Sequence, residues 1–400
     1  MVYTPSQEIL EKYAEVLVNF ALNDGKGIKK GEVVRLIVPE IAKPMLLALR
    51  RAVLKSGGNV ITSFLPDEYD REFYELASEE QIKFFPEKFS RGIIEQIDHS
   101  VAIIAETNPK ELEGIDSKKI MEKGKSFKPF MDWRNEKENR GKFTWTLGLY
   151  GTEQQAKEAN LSLEEYWEQI INACFLNEEN PVEKWKEIFN ELERIKAKLN
   201  SMPIKTLHIQ GEKIDLMVGI DKNRKWMAGS GRNIPSFEIF ISPDWRKTNG
   251  KIRFNQPLYR YGNIIKDIEL EFKDGLVVYS KARENEKVLK DMIATENANK
   301  IGEFSLTDSR MSRITKFMAE TLYDENMGGE FGNTHIALGN AYQDSYPGNP
   351  SEVSKEKWEE MGYNNSSVHT DIISTEDRIV TATLEDNSEI KIYEKGKFLV

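Results

Sequence analysis

Val33-Val34-Arg35-Leu36-Ile37-Val38 is a run of strand-forming residues with one charge inside it, and it reads as a buried strand. Behind it Ala42, Leu46, Leu49 and Val53 recur at steps of four, three and four, the period of one helix face, and Gly57-Gly58 ends that helix. Strand, helix and strand in succession open a parallel sheet, because parallel neighbours need a long crossover. Val60-Ile61-Thr62-Ser63-Phe64 and Val101-Ala102-Ile103-Ile104 supply further strands, and the stretch between them is rich enough in Glu, Phe and Leu for crossover helices. Phe143, Trp145, Leu147 and Leu149 then alternate as in a strand with one buried face. Two helices are expected at about residues 162–175 and 181–199, the second with an apolar stripe of Trp185, Phe189, Leu192, Ile195 and Leu199.

Near residues 200–203 the pattern turns from helical to strand-rich. Residues 206–210 and 213–218 read as a strand pair about a Gly-Glu turn, and residues 238–241, 251–254, 267–272 and 276–280 continue as strands at short spacing. Helices expected at about 284–298 and 310–322 interrupt them. The reading is α/β in class: an amino-terminal α/β domain with parallel strands over residues 1–200, and an α+β domain on a largely antiparallel sheet over residues 201–400.

Of the 400 residues, 39% are hydrophobic and 30% charged, which is a globular balance, and the net charge of -10 argues against a nucleic-acid partner. Cys174 is the single cysteine, so neither an intrachain disulfide nor a thiolate zinc cluster is expected and the cytoplasm is the default compartment. Met1-Val2-Tyr3-Thr4-Pro5 has no basic stretch leading into an apolar run, and no segment of about 18 apolar residues occurs. Neither a secretion signal nor a membrane partner is expected.

Chemistry-bearing residues gather late in the chain. Only four histidines are present, and His369 in Val368-His369-Thr370-Asp371 stands two residues from a carboxylate, on one face if the segment is a strand. His335 lies 34 residues upstream in a segment that also holds Glu330 and Tyr342, with glycines that permit close backbone approach. Glu238 and Glu303 are lone acids among apolar neighbours, in Phe237-Glu238-Ile239-Phe240 and Ile301-Gly302-Glu303-Phe304. His99 and His208 have no such company and read as structural. Imidazoles with carboxylates form the donor set of a metal site for Zn, Co or Mn rather than Ca.

At these residues the chain resembles the thermophilic metalloaminopeptidase family, of the aminopeptidase T, aminopeptidase S and PepS type. The blocks that carry the resemblance are Asn233-Ile234-Pro235-Ser236-Phe237-Glu238-Ile239-Phe240, Gly302-Glu303, Asp324-Glu325-Asn326, His335-Ile336-Ala337-Leu338-Gly339 with Tyr342, and Asn365-Ser366-Ser367-Val368-His369-Thr370-Asp371. At the position of Phe237 the family usually carries an acid. The resemblance implies two divalent metal ions per chain, bound by Glu238, Glu303, His335, His369 and Asp371, with Glu330 a further ligand. It implies Glu303 and Tyr342 as catalytic groups, Glu303 as first choice for the bridge between the metals. It also implies a homodimer whose carboxyl-terminal domain is catalytic, acting on peptides with a free amino terminus. The competing expectations are a dinuclear-metal amidase or dipeptidase, and a metal-stabilised homologue without turnover.

Overall fold

In the computed structural model, which describes residues 3–229, 231–260 and 262–400, the chain divides into two compact units. One is Met1–Lys186 with Ser230–Ile234, the other Glu187–Gly229 with Pro235–Val400.

In the first unit β1 (Val33–Pro39), β2 (Asn59–Leu65), β3 (His99–Ile104) and β4 (Thr144–Leu149) form a sheet in the order β2-β1-β3-β4, parallel throughout. Helix Lys43–Lys55 makes the first crossover, and Gly57, at φ 80°, supplies the left-handed residue that ends it. Contrary to the reading of β1 as buried outright, its burial alternates. Val34, Leu36 and Val38 are covered, whereas Arg35 on the other face donates its Nε–H to Ser63 Oγ at 2.9 Å and lies 5.9 Å from the Phe130 ring. The charge inside the apolar run thus marks the partly open face. Of the residues expected on the buried face of β4, Phe143 and Leu149 are covered, whereas Trp145 and Leu147 are half-buried and Thr146 and Gly148 are covered in their place. A Cβ on Gly148 would come within 2.9 Å of the Tyr13 hydroxyl and 3.0 Å of Leu17, so helix Gln7–Asn19 presses on that face. The later helices form as expected: Leu163–Ala173 starts at a Ser162/Glu165 capping box, and Pro181–Asn200, which belongs to the second unit from Glu187 on, buries Trp185, Leu192, Ile195 and Leu199.

The second unit carries β5 (Ile204–Gly211), β6 (Ile214–Gly219), β7 (Met227–Ala228), β8 (Glu238–Ile241), β9 (Asn249–Phe254), β10 (Leu258–Arg260), β11 (Asn263–Ile265), β12 (Ile268–Lys273), β13 (Leu276–Lys281), β14 (Ile301–Thr307), β15 (Asn333–Gly339), β16 (His369–Ser374), β17 (Arg378–Leu384), β18 (Glu389–Glu394) and β19 (Lys397–Phe398). Among the described residues they build an eight-stranded sheet, β13-β12-β9-β6-β5-β17-β18-β19, a five-stranded sheet, β16-β15-β14-β8-β7, and the hairpin β10-β11. Every pairing in them is antiparallel. The strands expected to follow one another in one sheet therefore separate: β8 joins the five-stranded sheet while β9, β12 and β13 join the larger one. Alternation along a strand reports its faces, not its neighbours.

The helix expected over 310–322 does not form; only Thr321–Asp324 turns helically. Ile314 and Met318 are fully buried at the four-residue spacing that imitated a helix face. Side chains replace the helical bonds there: Asp324 accepts the Met318 N–H at 2.7 Å and the Glu320 N–H at 3.1 Å, and Ser312 Oγ accepts the Ile314 N–H at 3.3 Å. The helix expected over 284–298 spans only Glu286–Ile293. Among the described residues no helix is long and apolar enough to cross a membrane.

Every residue of β14 and β15 is buried, so both faces of the five-stranded sheet are covered at its centre. A Cβ on Gly302 would lie 2.2 Å from Asn340 O and 2.6 Å from Gly339 O, both rigid backbone atoms. Gly302→Ala should lower unfolding free energy by about 1–3 kcal/mol through this overlap. Gly124→Ala, in exposed helix Ser117–Ser126 with nothing within 4 Å of the new carbon, should raise it by about 0.5–1 kcal/mol. Denaturant melts of both variants check the contrast, and a harmless Gly302→Ala contradicts it.

Candidate metal centre

Glu303 stands on β14 with strands on either side, and the period of two decides what shares its face. The register sets Ala337 of β15 opposite Glu303, and Asp371 of β16 opposite Ala337. Ser305 is opposite both His335 and Phe240, Thr307 is opposite Glu238, and Gly339 is opposite His369. Glu238, Glu303, His335, His369 and Asp371 therefore rise from one face of four adjacent strands, β8, β14, β15 and β16. Two glycines let the strands meet at this point. Gly302 lies in the register shift between Ile301 and Glu303, and Gly339, at φ 106°, has Val368 O where a Cβ would come, at 2.0 Å.

The side chains converge as well. His335 Nε2 lies 3.2 Å from Glu303 Oε1 and 3.3 Å from Glu238 Oε2, and these three residues offer ligand atoms within 4.8 Å of one another. His369 Nε2 lies 3.8 Å from Glu303 Oε2 and 3.5 Å from Asp371 Oδ1. Glu303 is thus the common member, one oxygen toward each imidazole. Both rings are fixed from behind: His335 Nδ1 is 3.1 Å from Glu325 O, and His369 Nδ1 is 2.8 Å from Asn340 O. A carbonyl oxygen only accepts, so each Nδ1 carries the hydrogen and each Nε2 of the neutral ring turns its lone pair toward carboxylate oxygens.

Such lone pairs facing anions call for positive charge between them, from ring protons in the metal-free protein or from a metal cation, and the charges of the group express the same demand. Glu303 is pushed up to about 7 by burial, opposed by the His335 hydrogen bond and reinforced by Glu238 and Asp371. Burial and the neighbouring Glu238 and Asp371 hold Glu325 well above the usual carboxylate range. Burial alone would lower His369, but Asp371 and Glu303 raise it to about 9, and His335 is raised well above its ordinary value by Glu238 and Glu303 against its burial. Asp371 goes to about 2, because the His369 charge and hydrogen bond outweigh burial. Its Oδ1 is buried, and His369 Nε2 stands 3.5 Å from it, a long contact. Two imidazoles presented Nε2-first toward a crowd of buried acids fit divalent cations.

Of the residues expected at the site, Glu330 does not join this group. It is exposed in the turn between Gly329 and Gly332, at φ 70° and 58°. Glu325 is there instead, buried beside the cluster at the end of the short helix Thr321–Asp324, its carbonyl taking hydrogen bonds from His335 and from Asn333 Nδ2 at 3.0 Å. The readable signal was Asp324-Glu325-Asn326, three adjacent polar groups between the apolar pairs Leu322-Tyr323 and Met327-Gly328. Glu325 precedes His335 by ten positions, whereas Glu330 precedes it by five, and proximity along the chain was the poorer guide.

Tyr342 tilts over His369 with ring centroids 4.6 Å apart, and its backbone N–H donates to Ser242 Oγ at 2.9 Å. Burial, then Glu303 and Asp371, push its phenol upward, so it keeps its proton. The other two histidines lie elsewhere: His99 is 2.9 Å from Glu32 and 2.8 Å from Thr144 Oγ1, and His208 is 2.8 Å from Asp215.

Residues 6–398 match the thermophilic metalloprotease (M29) family. The chain is 28% identical to aminopeptidase PepS of Streptococcus thermophilus, covering 100% of both chains. It is also 28% identical to aminopeptidase AmpS of Bacillus subtilis, over 97% of this chain and 98% of that one, and to aminopeptidase T of Thermus thermophilus, over 98% of each. A solved structure of wild-type AmpT from Thermus thermophilus superposes with a TM-score of 0.83 at 24% identity, over 98% of this chain and 100% of that one, which establishes the shared fold.

Metal-free protein should lose stability as pH rises. Glu303, at about 7 against an ordinary 4.5, costs stability once the unfolded chain ionises near 4.5, and the loss is complete above about 7. His369, at about 9 against 6.5, stabilises fully below about 6.5 and ceases to do so through about 9. Asp371 acts in the opposite sense, but only below its ordinary 3.8. The melting temperature of chelator-treated protein should therefore fall steadily from pH 5 to 9, and a divalent cation should remove the fall. A flat or rising profile without metal contradicts this electrostatic account.

Proposed function

The chain belongs to the thermophilic metalloprotease (M29) family, metal-dependent hydrolases of peptide bonds with aminopeptidases among its relatives, and from that premise we propose that it releases the amino-terminal residue of peptides at a dinuclear centre built on Glu303. The observation that carries this is Glu303 itself, directing one carboxylate oxygen to His335 and the other to His369. On this reading Glu238, Glu325 and His335 would hold one divalent cation and His369 and Asp371 the other, with Glu303 available to both; Zn, Co and Mn suit such donors. When bound, the pair supplies a water whose pKa falls from about 15.7 toward about 7, together with positive charge for the scissile carbonyl oxygen.

The chain's own residues set the stage for that chemistry. The carbonyls of Glu325 and Asn340 fix the tautomer of each histidine, so neither ring has to reorient on loading. With Glu303, the carboxylates of Asp371, Glu238 and Glu325 would offset the charge of the cations and surround the place of a cationic α-amine. Tyr342, protonated and over His369, donates its O–H where charge grows on the carbonyl oxygen. Glu330, outside the group, has no part in this reading. Catalysis belongs to the second unit, and the family resemblance extends the reading to a cytoplasmic homodimer.

Glu325→Gln should lower kcat by more than about tenfold and weaken metal retention, in the range typical of groups that hold or orient metal ligands, whereas Glu330→Gln should alter neither. Tyr342→Phe should lower kcat by about 10²–10³, roughly 2.7–4 kcal/mol, with metal content unchanged. The experiment that decides the activity compares one peptide with a free and an acetylated amino terminus on metal-loaded protein. The free form should shorten one residue at a time while the acetylated form persists, since a site built for the amine leaves its acids unpaired without it. Equal cleavage of both, or internal fragments first, defeats the aminopeptidase reading.

A further inference from the structure

The face that bears the candidate ligands continues past them toward the sheet edge. Phe240 of β8 is opposite Ser305, which is opposite His335, and on its other side Phe240 is opposite Met227 of β7. Met227 and Phe240 therefore rise from the same face as the acids and imidazoles, and both are only half-buried. Their neighbours directed to the opposite face, Ala228, Ile239 and Ile241, are covered. Tyr342 completes the surface. Its ring lies 6.0 Å from Phe240 at 64° and 4.6 Å from His369, the bond to Ser242 Oγ ties it to the end of β8, and 43% of its area is exposed.

Three large apolar side chains thus keep open surface beside a group of buried acids. Packing does not require this, since the same strands bury their other face completely. An apolar wall next to a few convergent polar groups is the usual form of a ligand site. We propose that Met227, Phe240 and Tyr342 form the subsite for the side chain of the substrate's first residue, and that this subsite selects large apolar side chains such as those of phenylalanine, leucine and methionine. The proposal rests on the aminopeptidase reading and names the substrate class for that same site.

The dimensions agree with one residue. Strands repeat at about 4.8 Å, so the Phe240 backbone stands two strands, on the order of 10 Å, from that of His335. An α-amine received among the carboxylates leaves the side chain of its own residue above the Phe240 ring. Phe240 and Tyr342 offer rigid faces at an angle, to which an aromatic guest packs edge-on, and the flexible thioether of Met227 adapts to aliphatic shapes. A first residue with an acidic side chain meets Glu238 at the near edge of this surface and gains nothing from it.

The test uses full-length, metal-loaded protein and the p-nitroanilides of alanine, leucine, phenylalanine and glutamate. Leucine and phenylalanine should exceed alanine in kcat/KM by at least about tenfold, the range that apolar pockets reach, with glutamate lowest. Phe240→Ala should reduce the phenylalanine-to-alanine ratio about tenfold, more through KM than kcat, and Phe240→Leu should keep most of it. Alanine or glutamate turned over as well as phenylalanine by the unaltered protein overturns the subsite alone, as does an unchanged ratio in Phe240→Ala. No turnover of any of the four, alanine included, overturns the aminopeptidase reading and the subsite with it.

Discussion

Glu303 is a carboxylate buried at the middle of a covered sheet, within 4 Å of two imidazoles and in the field of three further acids, Glu238, Glu325 and Asp371. Burying one uncompensated charge is expensive, and burying several of one sign more so. The site's other features follow from meeting that demand. Imidazoles are turned Nε2-inward by carbonyls behind them and glycines let β14, β15 and β16 close in, while Glu325, a further acid from a separate loop, adds to the negative charge that cations would offset.

The five-stranded sheet is what makes the arrangement precise. Antiparallel pairing with both faces covered fixes register, because a one-residue slip would send every ligand to the other face. Five candidate ligands come from strands rather than loops, so their spacing is set by the ladder. The two glycines at the irregular end of β14 and β15 mark where the ladder is bent to bring His369 toward Glu303. Stability and function therefore draw on the same backbone here, and changes that loosen the ladder should also disperse the ligands.

Much of this was legible in the chain. The parallel sheet could be read from Val33–Val38, the helix stripe behind it and the glycine stop; His-x-Asp at 369–371 could be placed on one strand face; and Glu238 and Glu303 stood out as lone acids in apolar runs. What escaped has physical reasons. A two-residue period cannot say that β8 leaves the company of β9 and β12, since partner choice lies in tertiary packing. Ile314 and Met318 imitate a helix because buried irregular chain also spaces its apolar residues, with Asp324 and Ser312 supplying the bonds a helix would have made. Glu325 was hidden by the length of its loop, and Glu330 was favoured by nearness along the chain to His335, a distance that the turn at Gly329–Gly332 makes irrelevant.

The most direct test of the account is where the cations sit. Anomalous diffraction from crystals of the protein loaded with zinc or manganese should give two peaks, about 3.5–4 Å apart, one on either side of the Glu303 carboxylate, toward His335 and toward His369. A single peak, or two peaks that leave Glu303 uncoordinated, would contradict the claim that this buried glutamate organises the site.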